Sequence, residues 1–146
     1  MKEMEYTFKH IFEVLDKGSY KGYQYVIMNY GHHPCCYVAL EKGDRYYEVE
    51  YEDIELDCHG GTTYSNYGLI YEGCNPKKIV LPEEFWVIGW DYRHTWDYNA
   101  LFNEVEVGEP PFLNKCKKWT TQEMLDEVHS VIEQLNFINT EELLYA

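Results

Sequence analysis

The run Phe85-Trp86-Val87-Ile88-Gly89-Trp90, bounded by Glu84 and Asp91, is almost continuously apolar. A short segment with no polar alternation predicts a central strand buried on both faces. Gly89 within it marks a close approach by a neighbouring group. Tyr23 to Tyr30 and Pro34 to Leu40 are β-rich runs separated by Gly31-His32-His33, which predicts a hairpin with two histidines in its loop. Ile54 to Cys58 alternates apolar and polar residues and is read as a third strand. Asn66 to Leu81, with Gly68, Gly73, Asn75 and Pro76, is read as a long excursion.

Two helices are expected to flank this sheet. Met4, Phe8, Ile11, Phe12 and Leu15 recur at helical spacing with Gly18 as a stop, predicting an opening helix that lies on the sheet. After the break at Gly108-Glu109-Pro110-Pro111, Thr120-Thr121-Gln122-Glu123 is a capping box. Met124, Leu125, Val128, Val131, Ile132 and Leu135 then trace one helical face. The expectation is α+β: a single domain over residues 1–146, its mostly antiparallel sheet packed by N-terminal and C-terminal helices.

With 146 residues, 45% of them hydrophobic, one core suffices. A net charge of −14 repels duplex nucleic acid and anionic membranes. No run of about eighteen apolar residues or signal-like N-terminus is present, so a soluble, intracellular protein is expected. Five cysteines, an odd number without Cys-x-x-Cys spacing, argue against a disulfide framework and a closed zinc site. The acids of Glu41 to Asp57 read first as a solvated face, and second as phosphate-like charge for a basic protein surface.

Two stretches carry the chemistry. His59-Gly60-Gly61-Thr62-Thr63-Tyr64-Ser65 places an imidazole before two glycines and a series of hydroxyls. Trp90-Asp91-Tyr92-Arg93-His94-Thr95-Trp96-Asp97 follows the central strand. In Asp91-x-x-His94-x-x-Asp97 a carboxylate could orient an imidazole. With the hairpin turn at His33 these loops are expected to meet at strand ends, although local turn capping accounts for either stretch equally well. In a shared pocket, Gly60 and Gly61 would turn amides toward an anion, Trp90, Tyr92 or Trp96 would stack a base, and Arg93 would pair with a phosphate. Thr63, Tyr64, Ser65 and Asp97 would complete the lining. Nucleophilic chemistry by Cys35 or Cys36, or a metal held by His33, His59, His94 and Asp91, is chemically reasonable, but no local spacing supports it. No cofactor is assigned.

His33-Pro34-Cys35-x-Tyr37-Val38, His59-Gly60-Gly61-x-Thr63-Tyr64-Ser65 and Trp86-x-Ile88-Gly89-Trp90-Asp91-x-x-His94, followed by a capped helix, resemble a family of small proteins carried by bacteriophages and integrated elements. The resemblance spans roughly Gly22 to Leu135, and Cys36 stands where a small residue such as glycine is common. It implies a phage accessory protein in the cytoplasm of its bacterial host, countering defence by sequestering a small nucleotide-derived immune signal. The alternatives are a hydrolase of such a nucleotide, using His59 or His94 with Asp91, and an acidic inhibitor of a nucleic-acid-binding defence enzyme. Self-association is left open.

Overall fold

In the computed structural model, residues 13–30, 33–72, 76–94, 97 and 117–145 are described. Five antiparallel strands form one sheet: β1 (Glu13–Tyr20), β2 (Tyr23–Asn29), β3 (Pro34–Leu40), β4 (Tyr64–Tyr71) and β5 (Lys78–Asp91). Their spatial order is β1-β2-β3-β5-β4, with helix α1 (Thr121–Tyr145) packed on the sheet. No described helix is long and apolar enough to cross a membrane.

The apolar run falls where expected, in the half of β5 that pairs with both β3 and β4. Alternate residues point to opposite sides, and both sides are buried. Ile27, Cys36, Val38, Leu40, Trp86, Ile88 and Trp90 meet Met124, Val128, Val131, Ile132 and Leu135 of α1. On the other face Val26, Met28, Cys35, Tyr37, Ala39 and Val87 join Leu69, Val80 and Leu81. Gly89 stands opposite Tyr37, and a Cβ there would lie 2.5 Å from the Tyr37 ring and 2.7 Å from the Cys36 carbonyl oxygen. The predicted close approach is real.

Three sequence expectations change. The segment expected to close the opening helix, including Leu15 and Gly18, lies in β1, which pairs antiparallel with β2 and bulges at Leu15; Met4, Phe8, Ile11 and Phe12 lie outside the described residues. Leu15 packs at the edge of the helix-side core, so its apolar character serves a strand.

The predicted excursion over Asn66 to Leu81 lies largely in the β4–β5 hairpin. Its glycine marks a bulge: pairing jumps from Tyr67↔Trp86 to Leu69↔Leu81, so Gly68 alone faces residues 82–85. Gly68 has φ +73°, and a Cβ there would stand 2.9 Å from Glu83 Cα. The bulge accompanies a curl in the sheet: Lys17 on β1 donates from Nζ to the Val80 carbonyl oxygen at 2.8 Å, although β2 and β3 separate their strands.

Ile54 to Cys58 joins no ladder. Ile54 and Leu56 are buried as the alternation implied, but side chains satisfy the backbone there. Asp57 N–H donates to Gln134 Oε1 at 2.8 Å, Gln134 Nε2 donates to the Asp57 carbonyl oxygen at 2.8 Å, and Glu55 N–H donates to Tyr46 Oη at 3.3 Å. Helix α1 begins with the predicted capping box. Glu123 N–H donates to Thr120 Oγ1, and Thr120 N–H donates to Glu123 Oε1, both at 3.1 Å.

Candidate functional site

The turn after Cys58 is drawn to the end of β5. Gly61 N–H closes it on the Cys58 carbonyl oxygen at 2.9 Å, and Thr63 N–H reaches the Gly89 carbonyl oxygen at 2.9 Å. Gly60 and Gly61 adopt φ of +71° and +80°, a region that glycine enters without steric cost. Gly60 is also a close-approach glycine, since a Cβ would stand 2.2 Å from His94 Nε2.

Asp97 is the centre of the cluster. Its side chain is 4% exposed and collects four donors. The His59 Nε2 atom lies 2.9 Å from Oδ1 and 2.8 Å from Oδ2, and His94 Nδ1 lies 2.9 Å from Oδ2. His94 N–H donates to Oδ2 at 3.0 Å, and Trp119 Nε1–H donates to Oδ1 at 2.8 Å. Burial alone would raise the Asp97 carboxyl, but hydrogen bonds from His59, Trp119 and His94 outweigh it and hold the group below its ordinary value. Both imidazoles therefore attach to one ionised carboxylate, their centroids 4.9 Å apart and nearly perpendicular.

A second carboxylate supports the first layer from the helix. Glu127 Oε1 accepts from Trp90 Nε1–H at 2.9 Å and from the Tyr92 hydroxyl, and Oε2 accepts from His59 N–H at 3.1 Å. The His59 ring stacks on Tyr92 with centroids 4.9 Å apart and 8° between planes, and Trp119 closes its other contact at 4.8 Å. The Tyr92 hydroxyl is driven far up by burial, then by Cys36 and Glu127, so it remains a neutral donor.

Asp91 lies on the far side of His94, its Oδ1 3.9 Å from Nε2. Thr63 Oγ1 donates to Asp91 Oδ2 at 2.8 Å and Arg93 N–H donates to Oδ1 at 3.1 Å. The predicted meeting of the two motifs is thus realised through His59, Gly60, Thr63, Asp91, His94 and Asp97. The carboxylate that holds His94 most closely is Asp97, three residues later, and not Asp91.

The other candidates hold different places. His33 directly precedes β3, its ring 6.5 Å from Tyr30, and the adjoining Pro34 carbonyl oxygen accepts from Tyr92 N–H at 3.1 Å, so this strand end runs beside the Asp91 stretch. Tyr64 turns to the opposite sheet face, edge-on to Tyr37 at 5.2 Å. Ser65 ties down the acidic segment, donating to Glu50 at 2.9 Å and accepting from Tyr51 N–H at 3.0 Å. Trp90, 1% exposed, and Tyr92 are core residues whose polar atoms are spent on Glu127, so neither can stack a ligand's base. Gly61 spends its amide on the turn, whereas the Gly60 amide has no acceptor among the described residues. Trp96 lies outside them.

Cys35, Cys36 and Cys58 are free thiols, and Cys74 and Cys116 lie outside the described residues. Burial pushes Cys35 and Cys58 up to about 12 and Cys36 well above its ordinary value, which leaves none of the three as a thiolate nucleophile near neutral pH. Two contributors were missed in the sequence. Glu127 was detectable as a carboxylate beside Val128 and three residues after Met124, at the edge of the helix's apolar face. Trp119 gave no signal beyond its position before the cap.

Cavities of about 290 Å³, beside Tyr23, Asp44 and Asn139, and about 480 Å³, beside Phe137 and Ile138, lie away from this cluster. Comparison with protein-family models, curated proteins and solved structures gives no match.

Proposed function

We propose that the surface around His94 holds a small anionic, nucleotide-derived molecule, and that the protein acts by retaining it. The observation that carries this reading is the convergence of the two motifs on Asp97, which fixes both imidazoles and leaves His94, its side chain 39% exposed, at the edge of the cluster. At that edge the Gly60 amide has no acceptor among the described residues, and the exposed Arg93 follows Asp91 by two positions. Amide and guanidinium donors are suited to phosphate oxygens. The nucleotide identity and the counter-defence role come from the resemblance of the motifs to phage-borne accessory proteins, an association and not a geometric inference.

The test is mass spectrometry of small molecules released by denaturing protein purified from bacteria with an active signalling defence. A nucleotide-sized molecule recovered intact from wild type and lost from Arg93→Ala supports retention. Release of no such molecule from wild type overturns it.

A hydrolase is the second reading, favoured by the Asp97–His94 and Asp97–His59 contacts, since a carboxylate-held imidazole is a standard acid–base arrangement. Cleaved product from wild type and intact molecule from His59→Ala or His94→Ala would establish this reading in place of retention.

A further inference from the structure

We infer that His59 Nε2, His94 Nδ1 and Asp97 Oδ2 form a binding site for a divalent transition-metal ion, with Asp91 orienting His94 from its far side. The ion would occupy the site proposed above, and its use as a phosphate anchor rests on that proposal; its binding does not.

The first support is spacing. The donor atoms of these three residues all lie within 4.8 Å of one another. His59 Nε2 and His94 Nδ1 stand 2.8 and 2.9 Å from the same Asp97 oxygen. Two donors held by one ion at about 2.1 Å stand roughly 3.0 Å apart at right angles and roughly 3.4 Å apart in a tetrahedral site. Binding therefore needs shifts of tenths of an ångström at Asp97, together with an inward movement of the imidazoles.

The second support is the placement of protons. Without an ion, His94 Nδ1 must carry a proton to donate to Asp97. Asp91 Oδ1 stands 3.9 Å from the other ring nitrogen, Nε2, across the ring from the Asp97 contact. An ion on Nδ1 moves the proton to Nε2, where it faces Asp91. Asp91 is already held in place by Thr63 and Arg93 N–H. The result is the carboxylate–histidine–metal relay that orients metal-bound imidazoles.

The surroundings fit the same reading. Trp119 Nε1–H and His94 N–H can remain on Asp97 as outer contacts. Glu127 is committed to Trp90, Tyr92 and His59 N–H. Two imidazoles and one carboxylate suit zinc, manganese or iron better than calcium or magnesium. Three protein ligands leave positions open for water or a phosphate oxygen.

The test uses the full chain after chelator treatment. Zn²⁺ and Mn²⁺ titrations by calorimetry are paired with the visible spectrum of the Co²⁺ form, with no nucleotide present. One ion per chain, lost in His59→Gln and Asp97→Asn while circular dichroism remains native, is the expected result. Asp91→Asn, which spares all three ligands, should keep the stoichiometry and weaken affinity about 10–100-fold. No uptake, uptake unchanged in His59→Gln, or a thiolate-to-cobalt band abolished by Cys58→Ser would overturn the site. The released-molecule experiment reads the proposed function separately: intact nucleotide recovered from a protein that takes up no metal would reject the ion and keep the retention.

Discussion

Replacing Asp97 with alanine tests how much of the local structure one carboxylate holds. The substitution strips the acceptor from His59 Nε2, His94 Nδ1, His94 N–H and Trp119 Nε1–H together. A hydrogen bond to a charged partner contributes roughly 1.5–3 kcal/mol. Four such values overcount, because both histidine rings reach solvent and can recruit water. A loss of about 3–5 kcal/mol, equivalent to about two such bonds, is therefore expected. At roughly 3 °C per kcal/mol for a domain of this size, the melting temperature falls by about 10–15 °C at pH 7. The pH dependence has a definite sign. Asp97's folded value is depressed below 3.8, so its stabilisation is complete above about pH 4 and lost as pH falls through the folded value. The gap between wild type and Asp97→Ala, measured by circular dichroism melts in chelator, should narrow in strong acid, as Asp97 itself becomes protonated. A fall of less than about 3 °C at pH 7, below about 1 kcal/mol, or a gap that does not narrow in strong acid, would refute the account of Asp97.

Other positions give sharper local outcomes. Gly60→Ala should cost about 1–2 kcal/mol for its positive φ and displace the His94 ring, read as a change in that ring's NMR shifts with β-sheet signals unchanged. Gly89→Ala should cost about 1–3 kcal/mol or more, because backbone as well as the Tyr37 ring blocks its Cβ; a melt matching wild type would contradict the close approach. Trp90→Ala should lower stability by about 3–5 kcal/mol and act on any retained molecule only through folding, so a stably folded variant with selectively lost retention would restore the stacking expectation. Cys35 and Cys36 should resist alkylation in native protein near pH 8 and react once denaturant is added, as followed by mass; rapid native labelling would contradict their burial.

The sequence was most legible where burial and periodicity coincide. Phe85 to Trp90 revealed the central strand, and the Thr120 to Glu123 box located the start of α1 because both signals are local. Leu15 and Ile54 to Cys58 were misread because apolar spacing reports which side chains are buried, not which backbone groups pair. Leu56 is buried beside a backbone satisfied by Gln134 and Tyr46, an arrangement available only after the helix has docked. At the site, the likeness of the His59 and Asp91 stretches correctly suggested a meeting. The choice of Asp97 over Asp91 as the nearer partner goes with the Asp97 N–H donating to the His94 carbonyl oxygen at 2.9 Å, which spacing alone does not encode.

The central claim is that one Asp97 carboxylate holds both His59 and His94, and long-range ¹H–¹⁵N NMR of the histidine rings in metal-free protein tests it most directly. The account predicts protons on His59 Nε2 and His94 Nδ1, and Asp97→Asn should move both ring signals together while distant His129 is unaffected. A ring signal that does not respond to Asp97→Asn, or a proton missing from His59 Nε2 or His94 Nδ1, would contradict it.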